Sequence, residues 1–247
     1  MKDFSKIIFI SAIALAVAAF FVTNVPINQD MAPISGFFII ALALPAYGAL
    51  IRGLGWNKAL IFIMVLSLYA IFIETLAIIT GIPYSHFQYS GLIGLKLFGY
   101  TPYTVPFAYV PLFVGCFYLA ILLSKVKWKI IIFSTLLVVV ADLVLDPAAV
   151  ALNFWTFQSG GFYYGVPLSN FLGWIITGFI ASTITLCLLK DNLDDLIKVS
   201  GTVSSLFLIL SFWSFVCLYM GLLIPSFIGF TFIGFILIKT NRKIGHF

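Results

Sequence analysis

Residues 129–149 read KIIIFSTLLVVVADLVLDPAA, and between Lys129 and Asp142 nothing in the run is charged. At 1.5 Å per residue, a helix of this length is about 31 Å long. That matches a hydrocarbon core of about 30 Å, which about 20 mainly apolar residues cross. The stretch therefore predicts a membrane-spanning helix with Asp142 and Asp146 inside it.

Seven further runs have the same character. The eight together cover about 6–23, 33–51, 58–80, 106–124, 129–149, 170–189, 201–219 and 221–239. Composition agrees: 63% of the 247 residues are hydrophobic and 9% charged, and mean hydropathy is +1.19. A soluble domain carries about 25% charged residues to cover its surface. A cytosolic enzyme, a secreted domain and a disordered regulator are excluded. The expected fold is an all-α polytopic membrane protein, residues 1–247 forming a single integral membrane domain.

The net charge of +5 suggests nucleic acid only in a soluble protein. Here it follows topology. Twelve of the thirteen basic residues flank alternate connections: Lys2 and Lys6, then Arg52 and Lys58, then Lys125, Lys127 and Lys129, then Lys190 and Lys198, and finally Lys239, Arg242 and Lys243. Only Lys96 lies on the other side. By the positive-inside rule both termini are cytoplasmic. The first run, with Lys2, Lys6 and Ala16-Val17-Ala18, also fits a signal peptide; a retained helix is the expectation, because apolar character continues through Phe20-Phe21-Val22. Cys116, Cys187 and Cys217 each stand alone in an apolar run, without metal-site spacing, and read as small core hydrophobes. Neither the Cys/His pattern nor the chemistry developed below calls for a metal or cofactor.

Two external connections are rich in aromatics and poor in charge. Residues 81–105 hold Tyr84, Tyr89, Tyr100 and Tyr103; residues 150–169 hold Trp155, Tyr163, Tyr164 and Gly160-Gly161. They suit an interfacial aromatic belt or a cap over an intramembrane cavity, because irregular backbone at membrane depth must be buried in protein or line water.

Three carboxyls lie within apolar runs: Glu74, Asp142 and Asp146. Each charged group there costs about 2.5–3.5 kcal/mol, and no Lys or Arg inside these spans pairs with them. Counted from Lys58 and Lys129, Glu74 lies about 24 Å, Asp142 about 20 Å and Asp146 about 26 Å up from the cytoplasmic side, in the outer half of the bilayer. Asp142 and Asp146, four apart, share one helix face. Pro147 marks an expected helix end directly after Asp146. A carboxyl in such surroundings is cheapest as the neutral acid, the form a general acid requires.

From Asp142 the chain continues DLVLDPAAVALNFWTFQSGGFYYGVPLSNFLGWIITG. This resembles the carotenoid hydratase family of carotenoid biosynthesis proteins, which includes the gamma-carotene 1',2'-hydratases and the bisanhydrobacterioruberin hydratases. The resemblance is carried by Asp142, Asp146-Pro147, Trp155, Gly161-Phe162-Tyr163, Gly165-Val166-Pro167, Asn170-Phe171 and Gly173-Trp174, and earlier by Glu74, Gly81-Ile82-Pro83-Tyr84, Tyr89 and Val105-Pro106. It covers about residues 70–180. The chain departs from the family pattern at Ser85-His86-Phe87, Tyr109 and Phe157.

The resemblance implies addition of water across the terminal isopropylidene double bond of an acyclic carotenoid. An isolated alkene is a weak base, so it needs a well-aimed acid, which the carboxyls supply. Asp142 and Glu74 are the expected acid and its partner, with Asp146 as water base or cation stabiliser. Trp155, Tyr163 and Trp174 offer π faces to a tertiary cation, Tyr84 and Tyr89 are further substrate-binding candidates, and Asn153, Asn170 or His86 would hold water. The substrate is a lipophilic polyene from the bilayer; water and membrane lipid complete the expected partners, without nucleic acid, and the oligomeric state stays open. The expected location is the cell membrane. Two alternatives use the same acids: an intramembrane isoprenoid cyclase that excludes water, and a proton-coupled transporter.

Overall fold

The computed structural model describes residues 3–247, so Lys2 of the basic pattern lies outside the described residues. Helices make up most of it: α1 (Ser5–Asn24), α2 (Ala32–Leu54), α3 (Trp56–Thr80), α4 (Val105–Leu123), α5 (Lys127–Ala151), α6 (Leu168–Leu189), the short α7 (Leu193–Lys198), α8 (Ser204–Tyr219) and α9 (Leu223–Lys239). Among the described residues, seven helical segments are long and apolar enough to cross a membrane. The expected eighth span, α9, is a shorter apolar helix of 17 residues, about 25 Å.

Contacts between the chain ends bear on that eighth crossing. The Phe4 N–H donates to the Gly245 carbonyl at 2.7 Å, and the Gly245 N–H donates to Ser5 Oγ at 3.0 Å. Asp3 Oδ2 lies 3.1 Å from His246 Nε2. Both ends therefore lie at one end of the bundle, which requires an even number of crossings between them, so α9 returns the chain. The Lys58 ammonium donates to Asn192 Oδ1 at 3.1 Å, and Lys125 and Lys190 border one small cleft. The basic connections thus gather where the ends meet.

Two helices form the centre. α4 and α8 are buried along most of their length, while α1, α2, α3, α6 and α9 surround them. The outer surface is apolar: Phe37, Phe72, Phe227 and Ile238 are all more than 60% exposed, a surface that only lipid covers at low cost. Cys116 and Cys217 are buried as expected, but Cys187 points outward.

Pro147 does not end α5, which runs on to Ala151. A proline inside a helix has no N–H for the carbonyl four residues back, here that of Leu143. The Tyr163 hydroxyl donates to that carbonyl at 3.1 Å, so α5 continues with its backbone satisfied. Asp146 therefore lies inside the helix, away from its C-terminal dipole end.

The two aromatic connections are joined. Strand β1 (Phe87–Tyr89) pairs antiparallel with β4 (Trp155–Phe157), in the register Phe87 to Phe157, Gln88 to Thr156 and Tyr89 to Trp155. Bonds from the Ser90 N–H to Phe154 O (2.9 Å) and from the Gln158 N–H to His86 O (3.0 Å) extend the ladder. This satisfies backbone groups that would otherwise be orphaned beside hydrocarbon. A smaller hairpin pairs β2 (Lys96–Leu97) with β3 (Thr101–Pro102).

Candidate active site

Side chains alternate across a strand, and the β1–β4 ribbon uses both of its faces. Phe87, Tyr89, Trp155 and Phe157 line an internal cavity, while Gln88 and Thr156 are exposed. The cavity holds about 510 Å³ and is lined almost wholly by aliphatic and aromatic side chains, a size typical of small-molecule sites. Glu74 of α3, Asp142 and Asp146 of α5, and Asn170 and Trp174 of α6 face it.

Glu74, Asp142 and Asp146 are 4%, 3% and 5% exposed. Glu74 lies about 9 Å below the end of α3 and Asp142 about 13 Å below the end of α5, on the side of the two connections. α6 packs against both α3 and α5. From it the Asn170 amide donates one N–H to Asp142 Oδ2 at 3.0 Å and another to Asp146 Oδ2. The Tyr89 hydroxyl donates to Glu74 Oε2 at 2.8 Å. Each acid thus has a fixed donor, supplied to Glu74 by the ribbon and to the aspartates by α6.

Gly173 sets how closely α6 approaches the first connection. A Cβ there would come within 2.6 Å of the Tyr84 ring and 2.7 Å of the Pro83 carbonyl oxygen. With hydrogen in its place, Tyr84 lies buried against α6 and its hydroxyl donates to Thr177 Oγ1 at 2.9 Å. The Trp174 ring stands 5.3 Å from Tyr84 and 5.5 Å from Tyr109.

The structure brings Glu74, Asp142, Asp146, Trp155, Trp174, Tyr84, Tyr89 and Asn170 together around one cavity. Three expected site residues lie elsewhere. His86 is exposed, and its ring packs over Gly81. Asn153 is exposed with φ of 57°, a turn residue in a conformation Asn tolerates. Tyr163 does not line the cavity, because its hydroxyl serves the Leu143 carbonyl. Asn170 does face it, but both amide hydrogens go to the aspartates rather than to water.

Tyr109 of α4, marked in the sequence only as a departure from the family pattern, joins the site residues. It stacks on Phe113 at 4.5 Å, is 5% exposed and lines the cavity. Its hydroxyl lies beside those of Tyr69, Tyr84 and Thr177, yet makes no hydrogen bond of good geometry among the described residues. Tyr69 donates to the Thr177 carbonyl at 2.9 Å. One tyrosine within an apolar run carries no sequence signal, and its neighbours come from other helices.

Residues 31–236 match the family of carotenoid biosynthesis proteins. The chain belongs to that family. Over 129 residues this carotenoid biosynthesis protein is 36% identical to a bisanhydrobacterioruberin hydratase from Haloarcula japonica. The aligned stretch is 51% of this chain and 44% of the relative, so the match spans under half of the relative's length. No solved structure matches. The family match takes in Glu74, Asp142, Asp146 and the aromatic residues around them and leaves out α1.

Proposed function

We propose that this carotenoid biosynthesis protein is a carotenoid hydratase, adding water to the terminal isopropylidene double bond of an acyclic carotenoid by acid catalysis. The observation that carries the reading is the meeting of Glu74, Asp142 and Asp146 in an otherwise apolar cavity. The relative's hydratase activity supports the choice of reaction.

A neutral carboxyl, from Asp142 or its partner Glu74, gives its proton to the less substituted alkene carbon. The π electrons form the new C–H bond and leave a tertiary cation on the neighbouring carbon. The faces of Trp174, Tyr109 and Trp155 and the new carboxylate stabilise that cation. Water attacks it, the C–O bond forms, and a carboxylate, with Asp146 the candidate, accepts the released proton. The product is a tertiary alcohol, and the carboxyl group as a whole regains the proton it gave. Asn170 orients the aspartates.

The basic end of the bundle is assigned to the cytoplasm, which puts the site in the outer half of the bilayer under the β1–β4 ribbon. The substrate dissolves in that bilayer.

The test is expression in a host that makes acyclic polyenes, followed by chromatography and mass spectrometry of the extracts. The expected products are heavier by one water per modified end and are absent with Asp142→Asn. An isomer of unchanged mass would replace hydration with cyclisation, and unchanged polyenes would refute both.

A further inference from the structure

The cavity extends well beyond the acids. Its lining also takes in Phe212 and Trp213 of α8 and a set of side chains on α1 and α2, which together form the α1–α2 arm. α1 packs on α8, and Ala18 and Val22 of α1 line the arm together with Phe38 and Leu42 of α2. Phe21 and Ile34 line the arm and are also 57% and 68% exposed, so its mouth lies between them. Val17, Phe20 and Phe37 around the mouth are themselves exposed, and such a surface faces hydrocarbon.

The mouth and the acids lie at similar depth. Measured from the end where the chain termini meet, Phe21 lies about 24 Å along α1, Asp142 about 22 Å along α5 and Glu74 about 27 Å along α3. A ligand passing from mouth to acids moves across the membrane plane, through apolar walls and out of the lipid.

Building on the hydratase reading, we propose that the α1–α2 arm is a lateral portal and cradle for the long tail of a linear polyene. The reactive end lies at the carboxyls, and the remainder of the chain extends through the mouth into the bilayer. Water-soluble ligands have no path through this opening, and a compact ligand would leave the arm unfilled. Two consequences follow. The enzyme handles one end of a symmetrical carotenoid at a time, and α1, the helix outside the family match, sets the length and width of tail that is accepted.

The experiment compares wild type with Ala18→Trp, which fills the arm from α1, and with Ile34→Trp, which narrows the mouth from an exposed position that tolerates bulk. Ile13→Trp, exposed on the same helix and about 12 Å along it from Phe21, is the control. Each is assayed on a long acyclic carotenoid and on a short acyclic terpenoid with the same isopropylidene end, and the polyene retained through detergent purification is measured by absorbance. The expected result is at least a tenfold loss on the long substrate and in retained polyene for Ala18→Trp and Ile34→Trp. Conversion of the short substrate should stay within twofold, and Ile13→Trp should match wild type. Equal losses on both substrates, or none on the long one, would overturn the portal. If wild type converts neither substrate, the hydratase reading fails, and the retained polyene still decides the portal.

Discussion

Replacing Tyr163 with Phe removes one hydroxyl and leaves the ring packed against Phe171 and Tyr164, 5.6 and 5.1 Å away. The hydroxyl's partner is the Leu143 carbonyl, 3.1 Å distant, which Pro147 deprives of its helical donor. The bond is part-buried, and leaving a buried acceptor unmet costs about 1–3 kcal/mol, so Tyr163→Phe should destabilise the protein by up to that amount. Asp142 and Asp146 immediately precede Leu143 and Pro147, so the loosened turn is the one that aims both carboxyls. A loss of conversion accompanying the loss of stability is expected. The decisive variant is Pro147→Ala, which restores an N–H opposite Leu143. In that background Tyr163→Phe should cost less than about 0.5 kcal/mol, giving a coupling of about 0.5–3 kcal/mol, where independent sites add to within about 0.3–0.5 kcal/mol. The assay is a double-mutant cycle of unfolding in detergent, with polyene conversion measured in parallel. Additive effects would refute the account of why a proline is accommodated between the two acids.

Asn170→Leu keeps volume but removes the donors to both aspartates. If those bonds stabilise the carboxylate left after proton transfer, the rate falls about 10- to 150-fold, the equivalent of about 1.5–3 kcal/mol. Combining it with Asp142→Asn should bring little further loss, read by single-turnover conversion. Gly173→Ala pushes a methyl group into the Tyr84 ring and the Pro83 carbonyl and should cost about 1–3 kcal/mol in stability together with most of the activity; a variant indistinguishable from wild type in both would refute the close approach. His86→Ala leaves the cavity untouched, so conversion should stay within about twofold, surface changes being nearly neutral. Ser205→Ala removes the hydroxyl that accepts the Ala46 N–H at 3.0 Å within a buried contact of α2 and α8. It should lower the unfolding temperature without altering the product.

The spans were legible because hydrocarbon imposes a length and a composition on any helix that crosses it. The three acids were legible for the same reason, since few carboxyls occur in such segments without a use. Their convergence was not. Glu74 and Asp142 lie 68 positions apart in the chain, and only the packing of α4 and α6 against α3 and α5 brings them to one cavity. The aromatic connections were visible as composition, whereas their pairing as β1 and β4 depends on a register that local sequence does not encode. His86, Asn153 and Tyr163 were chosen by residue type, which is blind to where a side chain points; the fold turns two of them outward and gives the third to a backbone carbonyl. Tyr109 stood out only as a departure from the family pattern, and its place in the site was not legible, since its setting is made by Trp174, Tyr84 and Tyr69 from other segments.

Composition and charge spacing by themselves determined a many-helix membrane protein with its basic connections alternating along the chain, because transfer into lipid acts on each segment separately. The tertiary structure alone decided which helices meet, which donors hold the acids, and which side chains line the cavity, because those properties arise from contacts between segments that no single segment contains.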